Sequence, residues 1–160
     1  VNYRSDLSED EKILMAIVRA AESFKRLASS LFRQYDLSFP QYNILRVLDA
    51  SEGGQTRITE VGRIMLVSGA NMTGLAKRLE KNGFIRRNSD PGDERVTLLQ
   101  ITAKGTAVLT QIESSRDQLL ENMLQGFSAE DRKLTYTMIR RLLRNIRRLG
   151  QDGEPGSRAD

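Results

Sequence analysis

The sequence predicts a mainly α-helical chain with a small β wing: a winged helix-turn-helix set between long terminal helices. Three observations predict it. Residues 58–104 read as two short helices followed by a hairpin with charge at its tip. Apolar residues recur at helical spacing on both sides of that segment. Serine caps and glycine stops bracket the long helices. The implied division is an N-terminal dimerisation helix over 1–37, a winged segment over 38–104, C-terminal dimerisation helices over 105–149 and a disordered tail over 150–160.

Ser8-Glu9-Asp10-Glu11 is a capping-box sequence. After it Ile13, Ile17, Ala20, Phe24, Leu27, Leu31 and Tyr35 recur on one helix face. Ser38-Phe39-Pro40-Gln41 caps a second helix carrying Ile44, Leu45 and Leu48, which ends before Gly53-Gly54. Thr59 is placed to cap a helix carrying Val61 and Met65, and Leu66-Val67 makes a short break. Ser68 then caps a helix that stops at Gly83. Phe84-Ile85-Arg86-Arg87 begins a strand, residues 88–94 turn, and 95–101 return as a second strand. Thr102 opens a long helix with Val108, Ile112, Leu119 and Met123, closed by Gly126. Ser128 opens the last helix, with Leu134, Met138, Ile139, Leu142, Leu143 and Ile146. From 151 onward glycine and charge point to disorder.

The helix over 68–82 divides cleanly when turned 100° per residue. Met72, Leu75, Ala76 and Leu79 share the face that packs on the domain. The opposite face collects Ala70, Gly74, Lys77 and Lys81, flanked by Asn71, Thr73 and Arg78. Small residues in the first turns let a backbone approach base edges, and the cations further along suit phosphates. Asn pairs with adenine, and Ala or Thr touches a thymine methyl. Free N–H groups at the Ser68 end suit a phosphate. A plain cap and a solvated lysine face account for each residue taken singly. Gly74 is harder to dismiss, because glycine inside a helix costs about 1 kcal/mol relative to alanine. Close approach of DNA explains it, as does close helix packing.

Composition bounds the rest. The 160 residues suit one domain or one elongated protomer, and a hydrophobic content of 39% suits helices that complete their burial in a dimer. No apolar run approaches the ~20 residues of a membrane span, and Val1-Asn2-Tyr3-Arg4-Ser5 is no apolar leader, so a cytoplasmic location is expected. With neither cysteine nor histidine, disulfides, thiolate metal sites and the usual general base are excluded. No phosphate-cradling glycine loop is present, so neither an enzyme nor a cofactor is expected. The formal charge is +4, but it is concentrated. Residues 59–104 carry eight cations against five anions, and 128–149 carry seven against two. Basic clusters attract phosphate through counterion release. In the last helix the apolar stripe is continuous, which favours arginines serving solubility or pairing across a dimer.

Residues 59–105 resemble the MarR family of bacterial transcription regulators. The resemblance is carried by Leu79-Glu80-Lys81-Asn82-Gly83-Phe84-Ile85-Arg86-Arg87, by Asp90-Pro91-Gly92-Asp93-Glu94-Arg95 and by Ile101-Thr102-Ala103-Lys104-Gly105. Its most distinctive mark is Asp-x-Arg at Asp93 and Arg95, and it extends more loosely over 7–149. It implies a triangular, mostly helical homodimer whose wing arginine, Arg95, enters the minor groove. The chain departs from the family at Gly74, where arginine is frequent, and at Lys77, where an acid is frequent. The strand geometry is compatible: residues two apart point the same way, so Asp93 and Arg95 can pair, and arginine suits a narrow, negative minor groove. A surface ion pair worth ~0–1 kcal/mol is the plainer alternative.

The expected function is therefore sequence-specific binding of double-stranded operator DNA. A homodimeric repressor would read a pseudo-palindrome through Ser68, Ala70, Asn71, Thr73, Gly74, Lys77, Arg78, Lys81, Asp93 and Arg95. The competing class is a winged-helix module for protein contacts. Relatives commonly bind small aromatic effectors between the winged lobe and the dimer helices. Phe39, Tyr42 and Arg46 share a helix face near that expected crevice, an aromatic wall with one cation. Aromatics at such spacing also serve as ordinary core. Control by thiol oxidation is excluded, since no cysteine is present.

Overall fold

The computed structural model describes residues 7–152. Its elements are α1 (Glu9–Arg33), α2 (Phe39–Asp49), a 3-10 turn at Glu52–Gly54, β1 (Gln55–Arg57), α3 (Ile58–Met65), α4 (Gly69–Lys81), β2 (Ile85–Asp90), β3 (Asp93–Ile101), α5 (Ala103–Met123) and α6 (Ala129–Asp152). The fold is thus mainly helical with one small antiparallel sheet, ordered β1-β3-β2. Residues 1–5, read as no apolar leader, and the tail beyond Asp152 lie outside the described residues, while Gly150, Gln151 and Asp152, expected in the tail, belong to α6.

Local chemistry starts the helices where the sequence proposes, with two exceptions. Ser8 and Glu11 close a reciprocal capping box, and Ser38 and Gln41 close another. Thr102 Oγ1 accepts the Gly105 N–H at 3.1 Å. Ser128 Oγ accepts the Asp131 N–H at 3.1 Å while Asp131 Oδ2 accepts the Ser128 N–H at 2.9 Å. The first exception is α3. Its N-cap is Arg57, not Thr59, because the strand β1 feeds the helix directly and places Thr59 inside it. The second is Ser68, which holds the N-cap position of α4 with extended backbone but makes no side-chain cap bond.

The chain forms two compact units that divide between Arg116 and Asp117. The first holds the buried core. Ala28 and Phe32 from α1 pack with Ile44, Leu45 and Leu48 of α2, Val61 of α3, and Met72, Leu75, Ala76 and Leu79 of α4. Phe84, Ile85 and Leu99 bring in the sheet, and Val108, Leu109 and Ile112 bring in α5. Gly105 is the point of closest approach: a Cβ there would stand 2.3 Å from the Phe84 carbonyl oxygen. In the second unit no described side chain is fully buried, and Leu119, Leu124 and Leu142 are half-buried.

The wing departs from expectation. The turn predicted over 88–94 shrinks to Pro91-Gly92, because Asn88 and Ser89 stay in the ladder opposite Leu98 and Thr97. Asp90 Oδ1 accepts the Gly92 N–H at 2.9 Å and closes the turn from its own side chain. The third strand, β1, was not anticipated. Three residues are too few to show a period, yet Gln55, Thr56 and Arg57 pair with Gln100, Leu99 and Leu98.

Candidate nucleic-acid interface

The candidate interface is built on α4 and the β2–β3 hairpin. Met72, Leu75, Ala76 and Leu79 bury one side of α4 in the core, the four residues that the helical period selects. Burying that face fixes what the other presents. Ser68, Ala70, Asn71, Thr73, Lys77, Arg78 and Lys81 are all exposed, and Gly74 is half-buried. A Cβ at Gly74 would meet nothing within 4 Å. Close packing within the protomer is therefore not what glycine serves there. Thr73 donates its hydroxyl to the Gly69 carbonyl at 3.0 Å, which commits that hydroxyl to the helix itself.

The end of α4 is fixed by Gly83. At φ +76° it adopts the left-handed conformation that favours glycine. Its N–H donates to the Glu80 carbonyl at 2.8 Å, and the Phe84 N–H donates to the Leu79 carbonyl at 3.0 Å. The chain thereby turns from the helix straight into β2. Glu80 strengthens the join, its carboxylate accepting both the backbone N–H of Arg87 at 3.2 Å and its Nε at 2.7 Å. Of the cations counted in this segment, Arg87 is thus committed to the join. Lys104 is also committed, donating to the Asn82 carbonyl at 2.8 Å and lying over the Phe84 ring at 4.8 Å. Lys77, Arg78, Lys81, Arg86 and Arg95 remain exposed, and no ion pair engages them among the described residues.

At the wing tip residues 91–95 are exposed throughout. Asp93 and Arg95 do meet, but not as a side-chain ion pair. Asp93 Oδ1 accepts the backbone N–H of Arg95 at 3.0 Å. The carboxylate orders the strand start and leaves the guanidinium unengaged, which is the state a groove contact needs. Arg57 Nη2 reaches the tip from β1 and donates to Asp90 Oδ2 at 3.2 Å. Sequence inspection missed this pair and the Glu80–Arg87 pair. Their partners lie 33 and 7 residues apart; the sheet brings the first pair together and the Gly83 turn from α4 into β2 the second.

The three residues assigned to an effector pocket stand in two different surroundings. Phe39 and Tyr42 join the core: Tyr42 is buried and stacks on Phe32 with centroids 3.9 Å apart, and Phe39 meets Phe24 edge-on at 5.3 Å. Arg46 is exposed and pairs with Asp49 at 3.7 Å, bordering a separate depression with Asn43, Val47 and Ile64. Nor do the described residues contain a group of three or more acids able to hold a metal ion.

A half-buried helix with a polar, basic outer face beside an exposed two-stranded ribbon defines the winged helix-turn-helix class. Residues 35–96 match the model of the MarR family. The chain is 37% identical to the HTH-type transcriptional regulator TtmR of Methylorubrum extorquens (strain PA1) over 61% of its own length. That match spans about half of the relative, 49%. It is 26% identical to the uncharacterized HTH-type transcriptional regulator YfiV of Bacillus subtilis (strain 168), covering 88% of this chain and 89% of the relative. Among solved structures, Sco3205, a MarR family transcriptional regulator from Streptomyces coelicolor in complex with DNA, superposes with a TM-score of 0.81. That superposition covers 88% of this chain and 93% of the other at 21% identity, a likeness of fold. Over residues 35–96 the chain is similar to the MarR family of transcription regulators. Its relatives are named as transcription regulators, not as enzymes.

Proposed function

We propose that the chain is a sequence-specific DNA-binding transcription regulator, a homodimer that places α4 in the major groove and the β2–β3 wing in the minor groove. The observation that carries this is the outer face of α4. Asn71, Thr73 and Gly74 are offered where base edges would lie, and Lys77, Arg78 and Lys81 where phosphates would. Two such helices related by a two-fold axis read a pseudo-palindrome with half-sites about one turn apart. Where such a site overlaps a promoter, occupying it blocks transcription, which is the repressor role expected from the sequence.

Titration of labelled duplexes at several salt concentrations tests it. Arg95→Ala should weaken binding to a preferred duplex by about 1–3 kcal/mol, the size of one good groove contact, with the fold intact by circular dichroism. Lys77→Ala and Lys81→Ala should instead weaken all duplexes alike. Each should shallow the salt slope by about one unit, one phosphate contact apiece. Binding that ignores both salt and Arg95 would point to a module for protein contacts.

The same proposal includes release by a small aromatic acid. Of the three residues assigned to that role, Arg46 is the exposed one and the only cation. Arg46→Ala should cancel the effect of an aromatic carboxylate while sparing DNA binding. Linkage requires that DNA lower the acid's affinity by the same factor. A mutant with full sensitivity would remove Arg46 from the effector site.

A further inference from the structure

The wing tip has no core of its own. The last row that spans all three strands is Arg57, Leu98 and Asn88. Beyond it β2 and β3 continue as a two-stranded ribbon, a form that is marginal alone in water. Packing cannot aim the tip, because every side chain from Pro91 to Arg95 is exposed. Arg95 nevertheless has to stand at one place relative to α4 if both are to engage one duplex.

Two ion pairs tie the ribbon down, one at each end. At the base, Glu80 of α4 holds Arg87 of β2 through two hydrogen bonds. At the tip, the Asp90 carboxylate is divided: Oδ1 closes the turn on the Gly92 N–H, and Oδ2 accepts from Arg57. Arg57 ends β1 and is the N-cap residue of α3, so the tip is tied to the first helix of the helix-turn-helix. The Asp90 side chain is 17% exposed although its neighbours are open to solvent. Among the described residues, no other hydrogen bond or ion pair joins residues 90–95 to the helices or to β1.

We propose that Arg57 and Asp90 are wing-positioning residues, whose ion pair sets where Arg95 stands relative to α4 and so determines specificity for a duplex. This rests on the DNA-binding function proposed above. Arg57 is itself 60% exposed, and pairs so open to solvent add little to folding stability. Geometry is the stronger reason for the contact, since a directional groove contact tolerates displacement of only about 0.5 Å.

The discriminating variant is Asp90→Asn. Its amide oxygen still accepts the Gly92 N–H, so the turn is kept, but the charge holding Arg57 is gone. Removing an acid strengthens binding to any duplex through electrostatics, whereas a misaimed wing weakens binding to the preferred one. The two effects have opposite signs. The specific probe is a duplex selected from a randomised pool with the unmodified chain, and the control is a random-sequence duplex of equal length. Asp90→Asn should bind the selected duplex about 5-fold or more weakly and the control as well as the parent does, or better. Arg95→Ala should cost nothing further in that background. Arg57→Gln, which leaves the turn untouched, should reproduce the loss on the selected duplex. Unchanged affinity for the selected duplex in both variants, or full additivity with Arg95→Ala, overturns the proposal. Failure to select any duplex, or Arg95→Ala alone having no effect, would remove the DNA-binding function and this proposal with it.

Discussion

Gly74 separates the demands of folding from those of binding. Inside α4 it lowers helix stability, and its open surroundings offer nothing in return within the protomer. Gly74→Ala should therefore raise stability by about 0.5–1 kcal/mol in urea unfolding. The same variant should bind the preferred duplex more weakly, because the methyl enters the space a base edge would fill. A gain in stability with no loss of affinity would place the helix further from the bases than proposed. Gly105 is the opposite case, a glycine the core requires, and Gly105→Ala should destabilise by about 1–3 kcal/mol by forcing Phe84 and Ile101 aside. The two glycines look alike in the sequence. Only their surroundings assign one to the surface and the other to the core.

At the scale of elements, periodicity and caps reveal most of the fold. The buried face of α4 follows from a 3.6-residue period alone, and four helix starts follow from a serine or threonine with its partner three residues on. What stays hidden is set by pairing between distant segments. β1 exists because β3 offers an edge, and that edge moves the α3 cap from Thr59 to Arg57. Asp93 is likewise found near Arg95 as its position suggests, but it bonds the backbone rather than the guanidinium. The start of α6 makes a pH prediction. The Ser128 hydroxyl, and then its backbone N–H, hold the Asp131 carboxyl below the usual aspartate range against a small opposing effect of burial. A carboxyl lowered in the native state adds stability that is complete above its unfolded pKa and is lost as pH falls through the native one. Acid should therefore fray the first turn of α6 only below the range where free aspartate titrates. Carboxyl titration by NMR measures this directly, and an Asp131 that titrates like a free aspartate would mean the capping box is not formed in solution.

At the scale of the molecule, the long helices present more apolar surface than a monomer has use for. In α1 the stripe expected to be buried begins in solvent: Ile13 and Val18 are exposed, and from Ser8 to Ser23 only Ile17 is even half-buried. In α6 Leu134, Met138, Ile139, Leu143, Ile146 and Leu149 are all exposed along a face opposite the arginines. An amphipathic helix of this kind gains its stability from covering that face, not from propensity. A second copy of the chain is the partner that also supplies the second reading helix a pseudo-palindrome requires. Sedimentation equilibrium at micromolar concentration should then give twice the chain mass. Leu143→Glu should shift that equilibrium towards monomer, since a carboxylate placed in an apolar interface loses its hydration without a partner. The variant should lose far more affinity for a two-half-site duplex than for a single half-site, because only a dimer engages both at once. A parent chain that sediments as a monomer and still binds the palindromic duplex tightly would sink the dimer. It would leave the two stripes to be covered by some other partner.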